Sequence, residues 1–287
     1  AATEFVAWYN GHPDYSDRKF DLTHPVAVIV GMGNVSIDVA RILSSTTEEL
    51  ETTDIADYAL EALRNSGVKH VYILGRRGPA QAAFSNPELS ELERLTDTEV
   101  HTLRDELAID EHTRSAAAND HTLSRKLEIL TKYAEPISIT KPRRITIRFL
   151  VSPLELIGGQ KGQITGIQIA HNELSPNTHG IVQAQQTEKS ELIEAGLVLR
   201  SIGYKGIPLA NLPFLEDQGI IPNDQGRVIE PTTGNLLRSV YVSGWIKRGP
   251  HGVIGTNKND AHNNANIRTF CNNWRNSYCC PDKCNII

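Results

Sequence analysis

The chain has 287 residues, 39% of them hydrophobic and 22% charged, with a formal net charge of −5 at pH 7. That length accommodates one large or two modest domains around a buried core. The acidic balance argues against a nucleic-acid partner, which leaves a basic footprint, and no apolar run approaches the roughly 20 residues of a membrane helix.

Thr3 to Tyr9 reads as the end of a helix, stopped by the turn-rich NGHPD. Val26 to Val30 is a continuous apolar run of the kind that forms a buried parallel strand. Asn34 to Leu43 follows with Val35, Val39 and Ile42 at helical spacing. A further helix is predicted over about Asp54 to Asn65, with Gly67 as its C-cap, and then a strand over Val71 to Leu74. Strand, helix and strand make a βαβ unit and imply a parallel sheet, so the expected fold class is α/β and Rossmann-like.

SNPELSELERL opens another helix, with Pro87 at its first position. Arg104 to Leu130 is polar and mostly helical in pattern. Ile145–Leu150, Ile164–Ile169 and Leu197–Ile202 read as strands, and SPNTHG, 175–180, as a turn. A last strand, Val240 to Ser243, runs into a second glycine-rich turn, GWIKRGPHGVIGTN. From about Asn263 an Asn- and Cys-rich tail resembles nothing before it.

The first glycine turn, GMGNVS, places Gly31, Gly33 and the small residue Ser36 between a buried strand and an amphipathic helix. In that setting the first glycine permits the tight turn and the second lets backbone approach a pyrophosphate. The third small residue lets helix and strand pack closely. An NAD site would end the second strand with a carboxylate on the ribose hydroxyls. Here VYIL ends in Gly75, Arg76, Arg77 and Gly78. Guanidinium groups bind a 2′-phosphate through paired hydrogen bonds, so NADP is favoured over NAD, against the alternative of a solvated surface pair. Glu88 has two readings: it closes an S-x-x-E capping box with Ser85, or it contacts the cofactor.

No cysteine precedes Cys271, which suits a reducing compartment and leaves no disulfide framework in the body of the chain. Cys271, Cys279, Cys280 and Cys284 follow a C-x7-C-C-x3-C spacing that matches none of the usual metal motifs, so no metal site is expected.

Six segments together resemble the adrenodoxin-reductase-like ferredoxin–NADP+ reductases. They are EFVAWYNGHPD, VIVGMGNVSIDVARIL, GRRGPAQAAFSNPELSEL, RRITIRFLVSPLEL, LVLRSIGYKG and SGWIKRGPHGVIGTNKNDAH. In order, they span nearly everything from residue 3 to about 262. The resemblance implies a flavoprotein oxidoreductase in which NADPH passes a hydride to FAD, and the flavin passes single electrons to a ferredoxin- or adrenodoxin-type 2Fe–2S protein. It implies that Met32, Gly33, Asn34 and Val35 form the NADP pyrophosphate turn, that Arg76 and Arg77 bind the 2′-phosphate, and that Glu88 also touches NADP. Glu91 is similar to a carboxylate near the nicotinamide and stands as the catalytic candidate. Trp245, Gly252, Val253 and Ile254 would serve FAD. Met32 stands where the family has Gln, and His251 where it has Thr.

The resemblance also implies a Rossmann-like NADP domain at 12–208 inserted in an FAD-binding α/β domain. Residues 1–11 and 209–262 would belong to the FAD domain, and 263–287 would be a divergent tail. The family's FAD-binding βαβ unit lies ahead of the point matching Ala1, so this chain is expected to hold only the C-terminal part of that domain. The resemblance suggests a monomer, in the cytoplasm or the mitochondrial matrix. A second reading is a binding module that holds NADP(H) without FAD and without reductase activity. A disulfide-reducing flavoenzyme lacks its residues, because no CxxC lies near either glycine turn. A ferredoxin is typically acidic and meets a basic face, for which Arg104, Arg114, Arg125 and Lys126 are available, although charges on helices are more often simply solvated.

Overall fold

The computed structural model describes all residues except 110, 136–139, 161, 177–181, 251–253, 274–284 and 287. The chain divides into two units, Ala1–Ile202 and Gly203–Ile287.

In the first unit, α1 (Ala2–Tyr9) precedes β1 (Val26–Val30), and α2 (Asn34–Ser44), α3 (Thr47–Glu51) and α4 (Asp57–Arg64) lead to β2 (His70–Leu74). Next come α5 (Asn86–Glu91), β3 (Thr98–Thr102), α6 (Glu111–Ala118), α7 (His121–Tyr133) and β4 (Arg143–Arg148). A meander of β5 (Val151–Gly158), β6 (Ile164–Pro176) and β7 (Val182–Glu194) returns the chain to β8 (Leu197–Arg200). The five parallel strands lie in the order β3-β4-β2-β1-β8, and β5-β6-β7 form a separate antiparallel sheet.

Alternation along the strands assigns the two faces of the parallel sheet. Ala27, Ile29, Val71, Ile73, Ile145, Ile147 and Leu199 join the helices in the larger core. Val28 and Leu74 pack on Val151, Ile167, Ile169 and Ile193 of the antiparallel sheet in a smaller one. A β-layer thus occupies the face that a doubly wound fold covers with helices. Within residues 1–11, α1 packs on α2 and α4, and Tyr58 Oη donates to Trp8 O at 2.9 Å.

Several local expectations meet a different structure. β3, β5 and β7 were not expected, because β3 and β7 are polar and β5 carries Pro153. Such edge or half-exposed strands lack an apolar run. Gly67 does not cap the preceding helix, which ends at Asn65. A Cβ on Gly67 would instead lie 2.3 Å from Thr23 O, so backbone contact excludes a side chain there. Pro87 occupies the second position of α5, after Asn86.

A buried ion pair closes the end of β4. Arg148 Nε donates to Glu106 Oε1 at 2.8 Å and Arg148 Nη1 to Glu191 Oε1 at 2.6 Å. Phe149 N donates to Glu106 Oε2 at 2.8 Å.

On the same sheet face, His70 Nε2 lies 2.8 Å from Thr146 Oγ1. Burial, then the charges of Arg144 and His101, push His70 down from 6.5 to about 4. The unfolded chain takes up a proton here below about pH 6.5, whereas the folded chain does not until about 4. The stability contribution present above that window is therefore lost as pH falls through it. In His70→Asn, the loss of stability between those values, measured by thermal melts, is expected to be shallower. The full one-proton slope of about 1.4 kcal/mol per pH unit is an upper bound for a half-buried ring.

The second unit holds β9 (Asn223–Asp224), β10 (Arg227–Ile229), β11 (Leu236–Tyr241), α8 (Trp245–Arg248), α9 (Ile254–Asn273) and β12 (Asn285–Ile286). Its sheet order is β12-β11-β10-β9 around Ile221, Val228 and Val242. Asp260 pairs with both Lys247 and Arg248, and the buried Asn264 donates to Val242 O at 2.7 Å. Among the described residues no helix is long and apolar enough to cross a membrane.

Candidate dinucleotide site

The turn after β1 lies at the carboxyl end of the parallel sheet, where β1 separates β2 from β8. Gly31 takes φ +139°, and a Cβ there would fall 2.0 Å from Ser201 O, just after β8. Gly33 differs. It is the N-cap of α2 with φ −105°, and a Cβ on it would meet nothing within 4 Å. One glycine is required by the fold, while the other leaves open space at a helix N-terminus.

That terminus has unused donors. Ser36 N and Ile37 N both reach Gly33 O, while the N–H groups of Gly33, Asn34 and Val35 have no hydrogen-bond partner among the described residues. Three free amides at the positive end of an 11-residue helix suit a pyrophosphate. Ser36 is fully buried, so helix and strand are in close contact at the third small position.

Long-range bonds stitch the turn to the loop after β2. Met32 O accepts from Ala83 N at 2.8 Å and Phe84 N at 3.0 Å, and Asn34 Oδ1 accepts from Ser85 N at 2.8 Å. The Met32 side chain covers Gly75, where a Cβ would lie 2.4 Å from Met32 Cγ. The Ser85 side chain makes no capping hydrogen bond, so the capping-box reading of Ser85 and Glu88 is not realised. Asn34 has taken the amide a Glu88 cap would have used. Glu88 Oε2 is buried with no partner among the described residues, an acceptor that suits a ligand hydroxyl.

Arg76 and Arg77 follow β2 with exposed side chains. Among the described residues no ion pair or hydrogen bond engages either guanidinium. Their carbonyls are held: Arg76 O accepts from Asn172 Nδ2 at 2.8 Å, and Arg77 O from Leu150 N at 3.2 Å. Glu91 ends α5 and is exposed.

Trp245 opens α8 after Gly244, which adopts φ +72°. Its ring is 42% exposed and lies 5.6 Å from the ring of Tyr204. Gly252 and Val253 lie outside the described residues, as do His251, Cys279, Cys280 and Cys284. Ile254 is described only as the first residue of α9. No cluster of His, Cys, Asp or Glu suited to a metal ion occurs among the described residues.

Of the four cations considered for a basic face, Arg114 pairs with Glu111 and Arg125 with Glu128. Lys126 turns inward, donating to Ala82 O at 2.6 Å with its nitrogen 5.5 Å from the Phe84 ring. Burial lowers its pKa. Arg104 stays exposed. Lys126 and Asn172 were not legible as contributors to this site, since each acts on a backbone carbonyl distant in sequence.

A parallel sheet, a glycine turn at its carboxyl end and a helix with free N-terminal amides define a Rossmann-type dinucleotide-binding α/β protein. No family model matches the chain. It is 45% identical over 265 residues to the NADPH-ferredoxin reductase FprA of Mycobacterium leprae, covering 91% of this chain and 55% of that protein. It is 38% identical over 267 residues to the mitochondrial NADPH:adrenodoxin oxidoreductase of Arabidopsis thaliana, covering 90% and 55%. The solved structure of Mycobacterium tuberculosis FprA in complex with NADPH matches with a TM-score of 0.86 at 41% identity, over 99% of this chain and 61% of that one. Over nine-tenths of its length the chain is homologous to these NADPH–ferredoxin and NADPH:adrenodoxin reductases, and it spans about half the length of the curated relatives it matches.

Proposed function

We propose that this chain acts as a flavoprotein oxidoreductase that passes electrons from NADPH through FAD to a ferredoxin- or adrenodoxin-type 2Fe–2S protein, the alternative being an NADP(H)-binding module without FAD. The observation that carries the reading is that three amides, two guanidiniums and a carboxylate oxygen, all without a partner among the described residues, lie on the turns and helices that follow β1 and β2. The names of the relatives support the same chemistry. The reading places the protein in a reducing compartment, the cytoplasm or the mitochondrial matrix, consistent with a body free of cysteine.

The two cofactors, when bound, supply hydride and one-electron chemistry. The task left to the protein is alignment and exclusion of water. Amides of Gly33, Asn34 and Val35 would hold the pyrophosphate, with Met32 anchoring the turn through its carbonyl. Arg76 and Arg77 would grip the 2′-phosphate, and Glu88 would accept from a ribose hydroxyl. Glu91, exposed and one turn further along, would serve the nicotinamide end as the family resemblance implies. On the flavin side Trp245 offers a partly exposed aromatic face, and Gly252, Val253 and Ile254 are assigned to the isoalloxazine from the family resemblance.

The test is the visible spectrum of the purified chain after incubation with excess FAD and desalting. A retained flavin band that NADPH bleaches anaerobically is expected. A colourless protein that still binds 2′-phosphorylated nucleotides would overturn the reductase reading for this chain and leave an NADP(H)-binding module.

A further inference from the structure

The Arg76 and Arg77 side chains lean on no partner among the described residues. Both guanidiniums are exposed, and among the described residues neither has an ion pair or hydrogen bond. What the fold fixes is therefore where they leave the chain, the backbone of 75–78. That backbone is held by a closed ring of bonds from a part of the chain far away in sequence. Gly75 N donates to Arg148 O at 2.9 Å, and Gly75 O accepts from Val151 N at 3.0 Å. Arg77 O accepts from Leu150 N at 3.2 Å, and Leu150 O accepts from Asn172 N at 2.7 Å. The Asn172 side chain closes the ring by donating from Nδ2 to Arg76 O at 2.8 Å.

Asn172 is buried, 5% exposed. Its second Nδ2 hydrogen goes to Ser152 Oγ at 2.8 Å, while Oδ1 is buried without a partner among the described residues. The Arg76 carbonyl can only accept, so the amide nitrogen must face it. An apolar residue of similar size would spare the unpaired Oδ1 its desolvation cost. An apolar residue would also leave the Arg76 carbonyl without this donor, so the amide is explained by the carbonyl it holds. Local geometry points the same way. The β6–β7 pairing shifts register between Ala170 and Asn172, and His171 O accepts from Thr187 Oγ1 at 3.0 Å. A bulge of this kind re-aims a side chain. Beyond it, Leu174 of the same strand lies against Gly78, where a Cβ would be 3.2 Å from Leu174 Cδ1.

We infer that Asn172 is a positioning residue for cofactor selectivity. By fixing the Arg76 carbonyl it orients the Arg76–Arg77 pair toward a 2′-phosphate, which gives the antiparallel sheet a part in dinucleotide choice. The inference rests on the 2′-phosphate reading of the arginine pair.

The experiment measures the affinities of the chain for NADP+ and NAD+ at a temperature where every variant is folded by circular dichroism. Asn172→Ala is expected to reduce the NADP+/NAD+ affinity ratio about tenfold, the scale of one mispositioned charge-assisted hydrogen bond. NAD+ affinity should stay within about twofold, since the pyrophosphate turn is untouched. Ser152→Ala removes the other Asn172 bond and is expected to lower Tm while keeping the ratio, which separates selectivity from stability. Asn172→Leu fills the same space without a donor and should reproduce the loss, so the test survives an alanine variant that does not fold. A preference retained in both Asn172 variants overturns the inference alone. A parent chain that shows no preference for NADP+ overturns the 2′-phosphate assignment beneath it.

Discussion

Replacing Arg76 and Arg77 together by alanine is expected to weaken NADP+ binding by about a hundredfold or more and to leave NAD+ binding within about twofold. Hydrogen bonds to charged groups contribute roughly 1.5–3 kcal/mol each, and about 1.4 kcal/mol is tenfold in affinity. Both side chains are exposed, so their removal leaves no cavity and strands no partner. The melting temperature should therefore stay within a degree or two, in keeping with surface substitutions of about ±0.5 kcal/mol. Titrations with the two dinucleotides check the outcome. Equal losses for NADP+ and NAD+ would falsify the 2′-phosphate assignment.

The second expectation separates two glycines that stand two residues apart. Gly31→Ala places a Cβ 2.0 Å from a backbone oxygen at a residue with φ +139°. Neither the turn nor the chain after β8 can yield without breaking the bonds from Gly31 N to Leu74 O and from Ser201 N to Val30 O. A loss of more than about 4 kcal/mol is expected, enough to leave a marginal domain largely unfolded. Gly33→Ala has φ −105° and open space, so the fold should be unaffected. Its added methyl instead occupies the approach to the free amides of α2. Dinucleotide affinity is expected to drop by about tenfold or more for NADP+ and NAD+ alike, because both share the pyrophosphate. Chemical denaturation of both variants, with titrations of the folded one, tests the pair. A folded Gly31→Ala, or a Gly33→Ala that binds normally, would contradict this division of roles.

Much of the site was legible locally. The run Val26–Val30, the GMGNVS turn and the amphipathic stretch after it are periodic over a few residues, so the βαβ unit follows from the order of side chains alone. The absence of a carboxylate after VYIL, and the presence of Arg76 and Arg77, can likewise be read directly. The polar strands β3 and β7 could not be, because their pairing partners, not their composition, make them strands. Gly67 reads as a cap until the backbone of Thr23 is found against it. Glu88 reads as half of a capping box until Asn34, more than fifty residues before it, takes the Ser85 amide.

Sequence by itself determined the chemistry of the candidate site's groups: the glycines, the helix terminus and the two adjacent cations, all set by neighbours within a turn or a strand. Only the tertiary structure decided which polar atoms stay free. Lys126 and Asn172 are spent on carbonyls 44 and 96 residues away in the chain, whereas the Arg76 and Arg77 side chains are left unengaged by the described residues. The physical reason is that a buried donor must find an acceptor wherever packing brings one. That partner is fixed by the register and topology of the sheets, which no short window of sequence contains.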